Sequence, residues 1–341
     1  MSVSSAVRYS FIIPIYNEED VLPLLLPRIE DMLAKLDGPA EVIFVNDGSK
    51  DGSEAYLARQ VETHPHYRLL GFSRNFGHQI AITAGMDVAR GEAIIVLDAD
   101  LQDPPEVTLE MIDRWKQGFQ VVYAKRLSRE GETWFKLFTA DVFYRFLNKL
   151  TRVTIPRDVG DFRLIDRKVL EAFKIMPEQD RFVRGMFAWL GFKQTAVEFH
   201  RPARAAGETK YPFFKMIKLA LNGVIGFSDV PLRMALWAGM GVSGLALVYG
   251  LYVIAMWFTH SSLVNGWSST IVIISFLVGI NMLMTGIMGL YIGRIYNEVK
   301  RRPLYVVDQR AGFAAGEAVV AAPVLERPAK AQENLPKEKV A

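Results

Sequence analysis

Two aspartates separated by one residue give the strongest chemical signal in the sequence. Asp98 and Asp100 follow the apolar run 93–97 and precede the stretch Leu-Gln-Asp-Pro-Pro. Carboxylates this close repel each other when ionised, and a divalent cation such as Mg²⁺ or Mn²⁺ relieves that repulsion. Alternate residues of an extended segment point to opposite sides. One aspartate is therefore expected to meet the metal directly, and the other through backbone bending, water or the ligand's sugar.

Acidic residues also follow two other apolar runs. Asn17 and Glu18 come after residues 9–15, and Asp47 comes after residues 41–45. Each site alone is explained by helix capping or by a turn. Those explanations do not account for acidic groups at all three positions, so we expect the three sites to form one ligand-binding edge.

The elements that position these residues alternate between short apolar runs and helical patterns. The predicted strands are 9–15, 41–45, 69–72, 93–97 and 120–124, and the predicted helices are 21–36, 53–61, 79–89 and 106–117. This alternation predicts a mostly parallel α/β sheet with helices on both faces. Ligand sites in such sheets lie beyond the carboxyl ends of the strands, where the acidic residues fall.

Composition excludes several kinds of chemistry. The chain contains no cysteine, so disulfides, thiolate metal sites and cysteine nucleophiles are ruled out. A formal net charge of +3 is too small to indicate a nucleic-acid partner. The histidines are too scattered to predict a metal cluster, and His78 is expected to be structural or to lie at the rim of a pocket.

Two long stretches near the end of the chain, residues 234–259 and 261–293, lack charged residues. Segments 231–259 and 269–296 are predicted to be transmembrane helices, and their glycines permit oligomerisation without requiring it. Arginine and lysine flank the pair but are absent from its connector, which predicts cytoplasmic termini. The alternative is a buried helical hairpin of a soluble domain.

The flanking segments complete the expected domain organisation. Residues 1–210 form the cytoplasmic α/β domain, and 211–229 form an amphipathic helix that lies in the membrane interface. The alternative for this helix is an ordinary core-facing position. Residues 297–310 are a basic cytoplasmic segment, and 311–341 are expected to be a disordered tail.

These motifs together resemble a known family. Residues 9–229 are similar to family-2 glycosyltransferases of the GT-A fold through Ile13-Pro-Ile-Tyr-Asn-Glu18, Val45-Asn-Asp-Gly-Ser49 and Asp98-Ala-Asp-Leu-Gln-Asp-Pro-Pro-Glu106. Val159-Gly-Asp-Phe-Arg-Leu164 and the final helix pair narrow the resemblance to polyprenyl-phosphate glycosyltransferases. That group includes bactoprenol glucosyltransferases, dolichol-phosphate mannose synthases and the undecaprenyl-phosphate aminoarabinose transferase. The bactoprenol glucosyltransferases look nearest.

The resemblance implies inverting, metal-dependent transfer of one sugar, with glucose favoured, from a UDP-sugar to a membrane polyprenyl (undecaprenyl) phosphate. It further implies Mg²⁺ or Mn²⁺ and a bacterial inner-membrane location. The residues implied for nucleotide-sugar binding are Pro14, Tyr16, Glu18, Asp47 and Asp98. The residues implied at the metal and diphosphate are Asp98, Asp100 and Gln102, and the candidate catalytic residues are Asp161 and Asp100. Arg74, which follows the third strand closely, is added to the nucleotide-sugar group.

The acceptor sets a separate electrostatic requirement. A phosphate monoester is mostly dianionic at neutral pH and attacks without losing a proton to a base. Asp161 is therefore hypothesised to orient the sugar or a neighbouring arginine. Holding a dianion near acidic groups requires cations, and those expected at the acceptor phosphate are Lys125, Arg126, Arg129, Arg204 and Lys210.

Two alternative functions remain open. One is a membrane synthase that uses a hydroxyl acceptor to make a glycolipid or polysaccharide. The Gln-x-x-Arg-Trp motif of processive synthases is missing, because the corresponding stretch is Phe182-Val-Arg-Gly-Met186. This absence leaves the role of Arg184 open. The other alternative is a membrane-anchored, non-catalytic nucleotide-binding protein.

Overall fold

A computed structural model describes residues 7–127, 159–200, 229–259 and 266–314. The chain divides into two compact units. The described part of the larger unit consists of residues 7–127, 159–200 and 302–314, so it takes in chain from both sides of the long apolar helices. The described part of the smaller unit is the helices themselves.

The larger unit is built on one mixed sheet. Its strands are β1 (Tyr9–Ile15), β2 (Ala40–Asn46), β3 (Tyr67–Phe72), β4 (Ala93–Val96), β5 (Val121–Arg126), β6 (Val159–Asp166), β7 (Gln194–Phe199) and β8 (Val307–Ala311). Their order across the sheet is β7-β5-β6-β4-β1-β2-β3-β8. The central strands β4, β1, β2 and β3 are parallel, whereas β6 and β8 run antiparallel to their neighbours.

Six helices pack around this sheet in the described residues. They are α1 (Leu22–Leu33), α2 (Ser53–Thr63), α3 (His78–Val88), α4 (Val107–Lys116), α5 (Arg167–Lys174) and α6 (Val183–Trp189). Helix α1 buries Leu22, Leu25 and Ile29 at helical spacing against the core. Strands β1 and β3 are buried along their whole length, as expected for strands covered on both faces.

The predicted α/β architecture is confirmed, with all five predicted strands and four predicted helices in place. The sequence analysis missed β6, α5, α6, β7 and β8. Strand β6 is the instructive case, because it buries Asp161 and Arg163 beside its apolar residues. Charged residues interrupt the apolar pattern by which a buried strand is recognised in sequence.

Strand β8 comes from a part of the chain that the sequence analysis placed in a basic segment outside the α/β domain. It pairs with β3 at the edge of the sheet, with Leu69 opposite Ala311 and Leu70 opposite Arg310. Tyr305, just before β8, is completely buried. The expected boundary of the tail at residue 311 thus falls on the last residue of an ordered strand.

The smaller unit contains two long helices, α7 (Val230–Thr259) and α8 (Trp267–Lys300). Both are long and apolar enough to cross a membrane over Val230–Tyr252 and Val272–Lys300, and neither segment is buried within the structure. The two helices contact each other, with Gly239 near Met284. The predicted interface helix at 211–229 lies outside the described residues, except for Asp229.

Candidate active site

The register between β4 and β6 brings two acidic residues together. Val96 of β4 lies opposite Arg163 of the antiparallel β6. Two further residues along each strand set Asp98 beside Asp161, although 63 positions separate them in the sequence. If β6 ran parallel to β4, Asp161 would lie at the opposite edge of the sheet from Asp98. The antiparallel insertion of β6 therefore completes the acidic edge.

Asp161 is held by several donors while it is almost fully buried. Arg184 binds it through both side-chain oxygens, with Nε 2.8 Å from Oδ1 and Nη2 3.0 Å from Oδ2. Gln79 Nε2 donates to Oδ2 at 3.0 Å. Burial opposes ionisation, but Arg184, His78 and Arg163 outweigh it and hold the pKa of Asp161 well below its usual range. A carboxylate held in this way is a poor acceptor for a proton from substrate.

His78 lies between the two carboxylates. Its Nε2 is 3.3 Å from Asp161 Oδ2 and 3.5 Å from Asp98 Oδ1. Burial works against protonation, but the hydrogen bond to Asp161 and the charges of both aspartates raise the pKa of His78 to about 9. The imidazolium thus offsets part of the negative charge at this edge, and 44% of its side chain remains exposed.

Asp98 has the features of a cation ligand. Its Oδ1 is buried and accepts no hydrogen bond from the described residues. Burial and the charges of Asp161 and Asp100 raise the pKa of Asp98, with His78 opposing that shift. The described residues contain no group of three or more His, Cys, Asp or Glu arranged to hold a metal ion. Carboxylate oxygens of this kind suit Mg²⁺, which commonly completes its coordination with water and substrate phosphates.

The neighbouring residues Asp100 and Gln102 lie on the same turn. The backbone amide of Gln102 donates to Asp100 Oδ1 at 3.1 Å, and Leu101 between them has a left-handed backbone (φ 57°). A leucine tolerates this conformation poorly, so surrounding contacts must hold the turn in place. The turn keeps the metal candidates Asp98, Asp100 and Gln102 within one short segment beyond β4.

Asp47 shapes the loop between β3 and α3. It is buried, and its oxygens accept the backbone amides of Phe76 at 2.6 Å and Gly77 at 2.9 Å. Burial raises the pKa of Asp47, and the two amides oppose that rise. The residue predicted to bind nucleotide therefore also fixes the N-terminal end of α3, which carries His78.

The other predicted nucleotide-sugar residues lie in β1, just beyond it, and just beyond β3. Pro14 is buried in β1, Tyr16 is 44% exposed just beyond it, and the amide of Glu18 donates to Ser53 Oγ at 3.0 Å. Arg74 is exposed, and its guanidinium stacks over the Phe76 ring at 4.0 Å. These residues and Asp47 therefore lie at the carboxyl ends of β1, β2 and β3, and their role in binding a nucleotide-sugar stays a prediction.

The two predicted acceptor-binding cations at the end of β5, Lys125 and Arg126, make separate contacts. Arg126 approaches the acidic edge, since its Nη2 lies 3.7 Å from the buried Asp103 and a Cβ on Gly160 would sit 2.9 Å from the same atom. Lys125 instead pairs with Glu198 of β7 at 2.8 Å, on an exposed part of the sheet. Arg129, Arg204 and Lys210 lie outside the described residues.

The sequence analysis assigned no catalytic or binding role to three residues at this site. Gln79 joins Asp161 to the amide of Val183 through its two amide atoms. His78 and Arg184 complete the contacts to Asp161. The missing Gln-x-x-Arg-Trp motif pointed to the segment containing Arg184, but only the fold brings that arginine to Asp161. Nothing in the local sequence singled out Gln79.

Comparison with known proteins gives consistent matches. A family model described as "Glycosyl transferase family 2" matches residues 10–173. The chain is 50% identical over 311 residues to the "Uncharacterized glycosyltransferase YkcC" of Bacillus subtilis (strain 168), covering 91% of this chain and 96% of that protein. It is 40% identical over 303 residues to the "Prophage bactoprenol glucosyl transferase homolog" of Escherichia coli (strain K12), covering 89% and 99% respectively.

Solved structures give a more distant likeness. Glucosyl-3-phosphoglycerate synthase from Mycobacterium tuberculosis, in complex with Mn²⁺, UDP-glucose and phosphoglyceric acid, matches 64% of this chain and 78% of its own. Its sequence identity is 16% and its TM-score is 0.44. A mannosyltransferase from Pyrobaculum calidifontis covers 87% and 88%, with 18% identity and a TM-score of 0.41.

Proposed function

Because the chain belongs to glycosyl transferase family 2, we propose that it transfers one glucosyl residue from UDP-glucose to the phosphate of a membrane polyprenol. The chain is a glycosyltransferase with the GT-A fold, as the sequence analysis expected. A polyprenyl phosphate acceptor is supported by the names of relatives such as the bactoprenol glucosyl transferase of Shigella phage SfX, which is 37% identical over 304 residues. The same names support glucose as the transferred sugar.

The contacts of Asp161 favour a phosphate acceptor over a hydroxyl acceptor. Both oxygens of Asp161 are engaged by Arg184, and Gln79 adds a third donor. A sugar hydroxyl must lose a proton to a base as it attacks, whereas a phosphate dianion need not. A site whose buried carboxylate is held ionised by donors suits the second nucleophile better. Asp161 then orients Arg184 and the donor sugar.

The acidic turn after β4 fits a divalent cation shared with the donor. Asp98 offers a buried oxygen with no hydrogen bond from the described residues, and Asp100 and Gln102 lie on the same turn. Mg²⁺ or Mn²⁺ held by Asp98 and Asp100 would neutralise charge on the departing UDP. Tyr16, Glu18, Asp47 and Arg74 would bind the nucleotide along the neighbouring strand ends.

The two apolar helices would anchor this site beside its lipid substrate. They are candidate membrane spans in a chain whose relatives are named for a lipid-linked reaction. Strand β8 follows both helices and belongs to the same sheet as β1, which precedes them. If both helices cross the membrane, the chain must return to its starting side. This connectivity supports a multi-pass inner-membrane protein with a cytoplasmic catalytic unit.

A transfer assay tests the proposal. Purified full-length protein in detergent is mixed with undecaprenyl phosphate, Mg²⁺ and a panel of radiolabelled UDP- and GDP-sugars, and label is counted in the organic phase. We expect label from UDP-glucose, its loss on addition of EDTA and its recovery with excess Mg²⁺. The matched control is Lys168→Ala, which removes an exposed cation of α5 that has no assigned role at the site and should retain transfer.

Each part of the proposal has its own contradicting outcome in this assay. Label from a different donor would contradict glucose while preserving the reaction class. Label in a lipid that contains a hydroxyl but no phosphate would contradict the acceptor. Retention of full activity in EDTA would contradict the metal, and failure to bind any nucleotide would contradict the donor.

A further inference from the structure

The return segment, defined here as residues 302–311, buries a tyrosine against the edge of the sheet. Tyr305 has no exposed surface, and its ring stacks on Phe72 with centroids 5.1 Å apart and planes 21° from parallel. Its hydroxyl donates to Asp87 Oδ2 at 2.9 Å. The backbone pairing of β8 with β3 begins only at Val307. The side chain of Tyr305 therefore adds contacts between the return segment and the rest of the unit, outside the pairing of β8 with β3.

The ring of Tyr305 supports the loop that Asp47 holds. Phe72 ends β3 and packs edge-on against Phe76, with centroids 5.6 Å apart. Phe76 donates its amide to Asp47 in the predicted nucleotide site. The amide of the intervening Ser73 donates to the carbonyl of Val306, next to Tyr305. An unbroken set of contacts thus links the return segment to the loop at residues 73–77.

The hydroxyl of Tyr305 reaches the same region by a second route. Asp87 lies in the last turn of α3, and the first residues of that helix are His78 and Gln79. Those two side chains contact Asp161 at the other end of the helix. Helix α3 is therefore fastened at one end by Tyr305 and at the other by the acidic site.

We propose that Tyr305 is a positioning residue for the nucleotide half of the active site. Tyr305 lies after both apolar helices in the chain. It fixes the β3–α3 loop and α3 in the arrangement that the donor requires. The identity of that donor as a UDP-sugar rests on the proposed function, whereas the coupling between Tyr305 and the loop rests on the contacts alone.

The expected consequence follows from packing. Removing the ring leaves a cavity beside Phe72, into which the loop at 73–77 relaxes. The amides of Phe76 and Gly77 then lose their fixed position on Asp47. Donor affinity is high when the groups that bind it are already in position before it arrives. Small displacements of those groups therefore lower both the affinity for the donor and the rate of transfer steeply.

The test compares Tyr305→Leu and Tyr305→Phe with Tyr67→Leu in the full-length protein. Tyr67 is a matched control, since it is fully buried at the start of β3, stacks on His64 and donates its hydroxyl to Glu30. The measurements are the thermal unfolding midpoint, the Kd for UDP with Mg²⁺ by calorimetry, and the donor KM and kcat of transfer. A fourth measurement is hydrogen exchange of the Phe76 and Gly77 amides without ligand.

We expect Tyr305→Leu to weaken UDP binding and raise donor KM by about five-fold or more. It should also accelerate amide exchange at Phe76 and Gly77. Tyr305→Phe keeps the ring and should retain most of the affinity. Tyr67→Leu should lower the unfolding midpoint without changing Kd or exchange at those amides. If Tyr305→Leu does not fold, Phe72→Leu removes the same stacked pair from the other side.

Two outcomes overturn the inference. Equal changes in Kd and exchange for Tyr305→Leu and Tyr67→Leu would assign Tyr305 to general stability. Unchanged Kd and exchange in Tyr305→Leu would remove the coupling altogether. Wild-type protein that binds no UDP would instead overturn the proposed donor, and the exchange data would still decide whether Tyr305 holds the loop.

Discussion

At the scale of single residues, the site is an electrostatic balance around the buried Asp161 and the half-buried Asp98. Asp98 and Asp161 face each other across β4 and β6, and His78 contacts both. Arg184 binds Asp161 through two hydrogen bonds. An arginine fork of this geometry holds a carboxylate in one orientation. Asp161 is therefore better suited to positioning than to proton transfer.

Asp161→Asn tests this division of roles. We expect the variant to keep about a tenth or more of wild-type kcat per UDP-binding site, because removing a true general base costs about 10²–10⁴-fold. Initial rates are measured with saturating donor and polyprenyl phosphate, and UDP-binding sites are counted by calorimetry to correct for unfolded protein. A loss of about 10²-fold or more in protein that binds UDP normally would assign proton transfer to Asp161.

A second buried ionic cluster at the opposite edge of the sheet serves stability. Glu41 is 1% exposed and accepts hydrogen bonds from Ser10, Arg68 and Arg90. Glu41→Gln leaves Arg68 buried beside a neutral group. Removing one partner of such a pair costs about 3–5 kcal/mol.

The expected result for Glu41→Gln is a clearly lower thermal unfolding midpoint, measured by intrinsic fluorescence in detergent. The donor KM of the folded fraction should stay at the wild-type value, because Glu41 lies at the edge away from Asp98. An unchanged midpoint would contradict the assigned role. Arg28→Ala, which breaks an exposed pair with Glu106, is the control and should shift the midpoint little.

Sequence reasoning reached the acidic turn but not the residues around it. Asp98 and Asp100 were found because charged residues directly after a buried apolar run are unusual. Gln79 and Arg184 occupy ordinary helical positions, and their contact with Asp161 depends on how α3, β6 and α6 meet in space. Local sequence patterns carry no information about tertiary contacts between residues that are far apart in the chain.

At the scale of elements, the β2–α2 turn and the β3–α3 loop depend on each other. Gly48 has a left-handed backbone (φ 66°), and a Cβ there would lie 2.5 Å from the backbone carbon of Arg74. Gly118 also has a positive φ (92°), but a Cβ there would meet nothing within 4 Å. An alanine at either glycine would strain the backbone, but only an alanine at Gly48 would also displace a neighbouring loop. Comparing the two variants therefore distinguishes the two effects.

We expect Gly48→Ala to weaken UDP binding as well as to lower the unfolding midpoint. The added methyl group must push the loop that carries Phe76 and Gly77 away from Asp47. Gly118→Ala should show only the strain of a left-handed alanine, about 1–2 kcal/mol, with unchanged Kd. Calorimetric titration with UDP decides between them, and equal Kd values for the two variants would contradict the dependence.

The elements themselves were mostly predictable up to β5. Strands β1 to β5 are apolar runs that alternate with amphipathic helices, so local periodicity was sufficient to find them. Strand β6 was missed because Asp161 and Arg163 are buried in it. Strand β8 was missed because its sequence, Val-Asp-Gln-Arg-Ala, is mostly polar and only its first residue is fully buried.

At the scale of the whole molecule, the sheet contains strands from both sides of the two apolar helices in the chain. Strands β1 to β7 precede α7, and β8 follows α8 in the chain. If these helices cross a membrane, β8 can pair with β3 only when the chain returns to the side on which it started. The proposed topology therefore has both termini on the side of the catalytic unit and the α7–α8 connector on the other.

The natural absence of cysteine makes this topology directly measurable. Single variants Ser4→Cys, Ser262→Cys and Ala329→Cys are treated with a membrane-impermeant maleimide on intact cells and after permeabilisation. We expect Ser262→Cys to react in intact cells and the other two only after permeabilisation. Reaction of Ala329→Cys in intact cells would contradict a paired crossing, and the cysteine-free parent reports background labelling.

The placement of β8 also has a consequence for the order of events during synthesis. β3 is complete long before the ribosome reaches residue 307, and its outer edge stays without β8 until α7 and α8 have emerged. An unpaired edge beside apolar side chains invites aggregation or pairing with another chain. A hairpin that inserted only one helix would leave β8 across the bilayer and the sheet unfinished. If both helices cross a membrane, the sheet can be completed only after both have inserted.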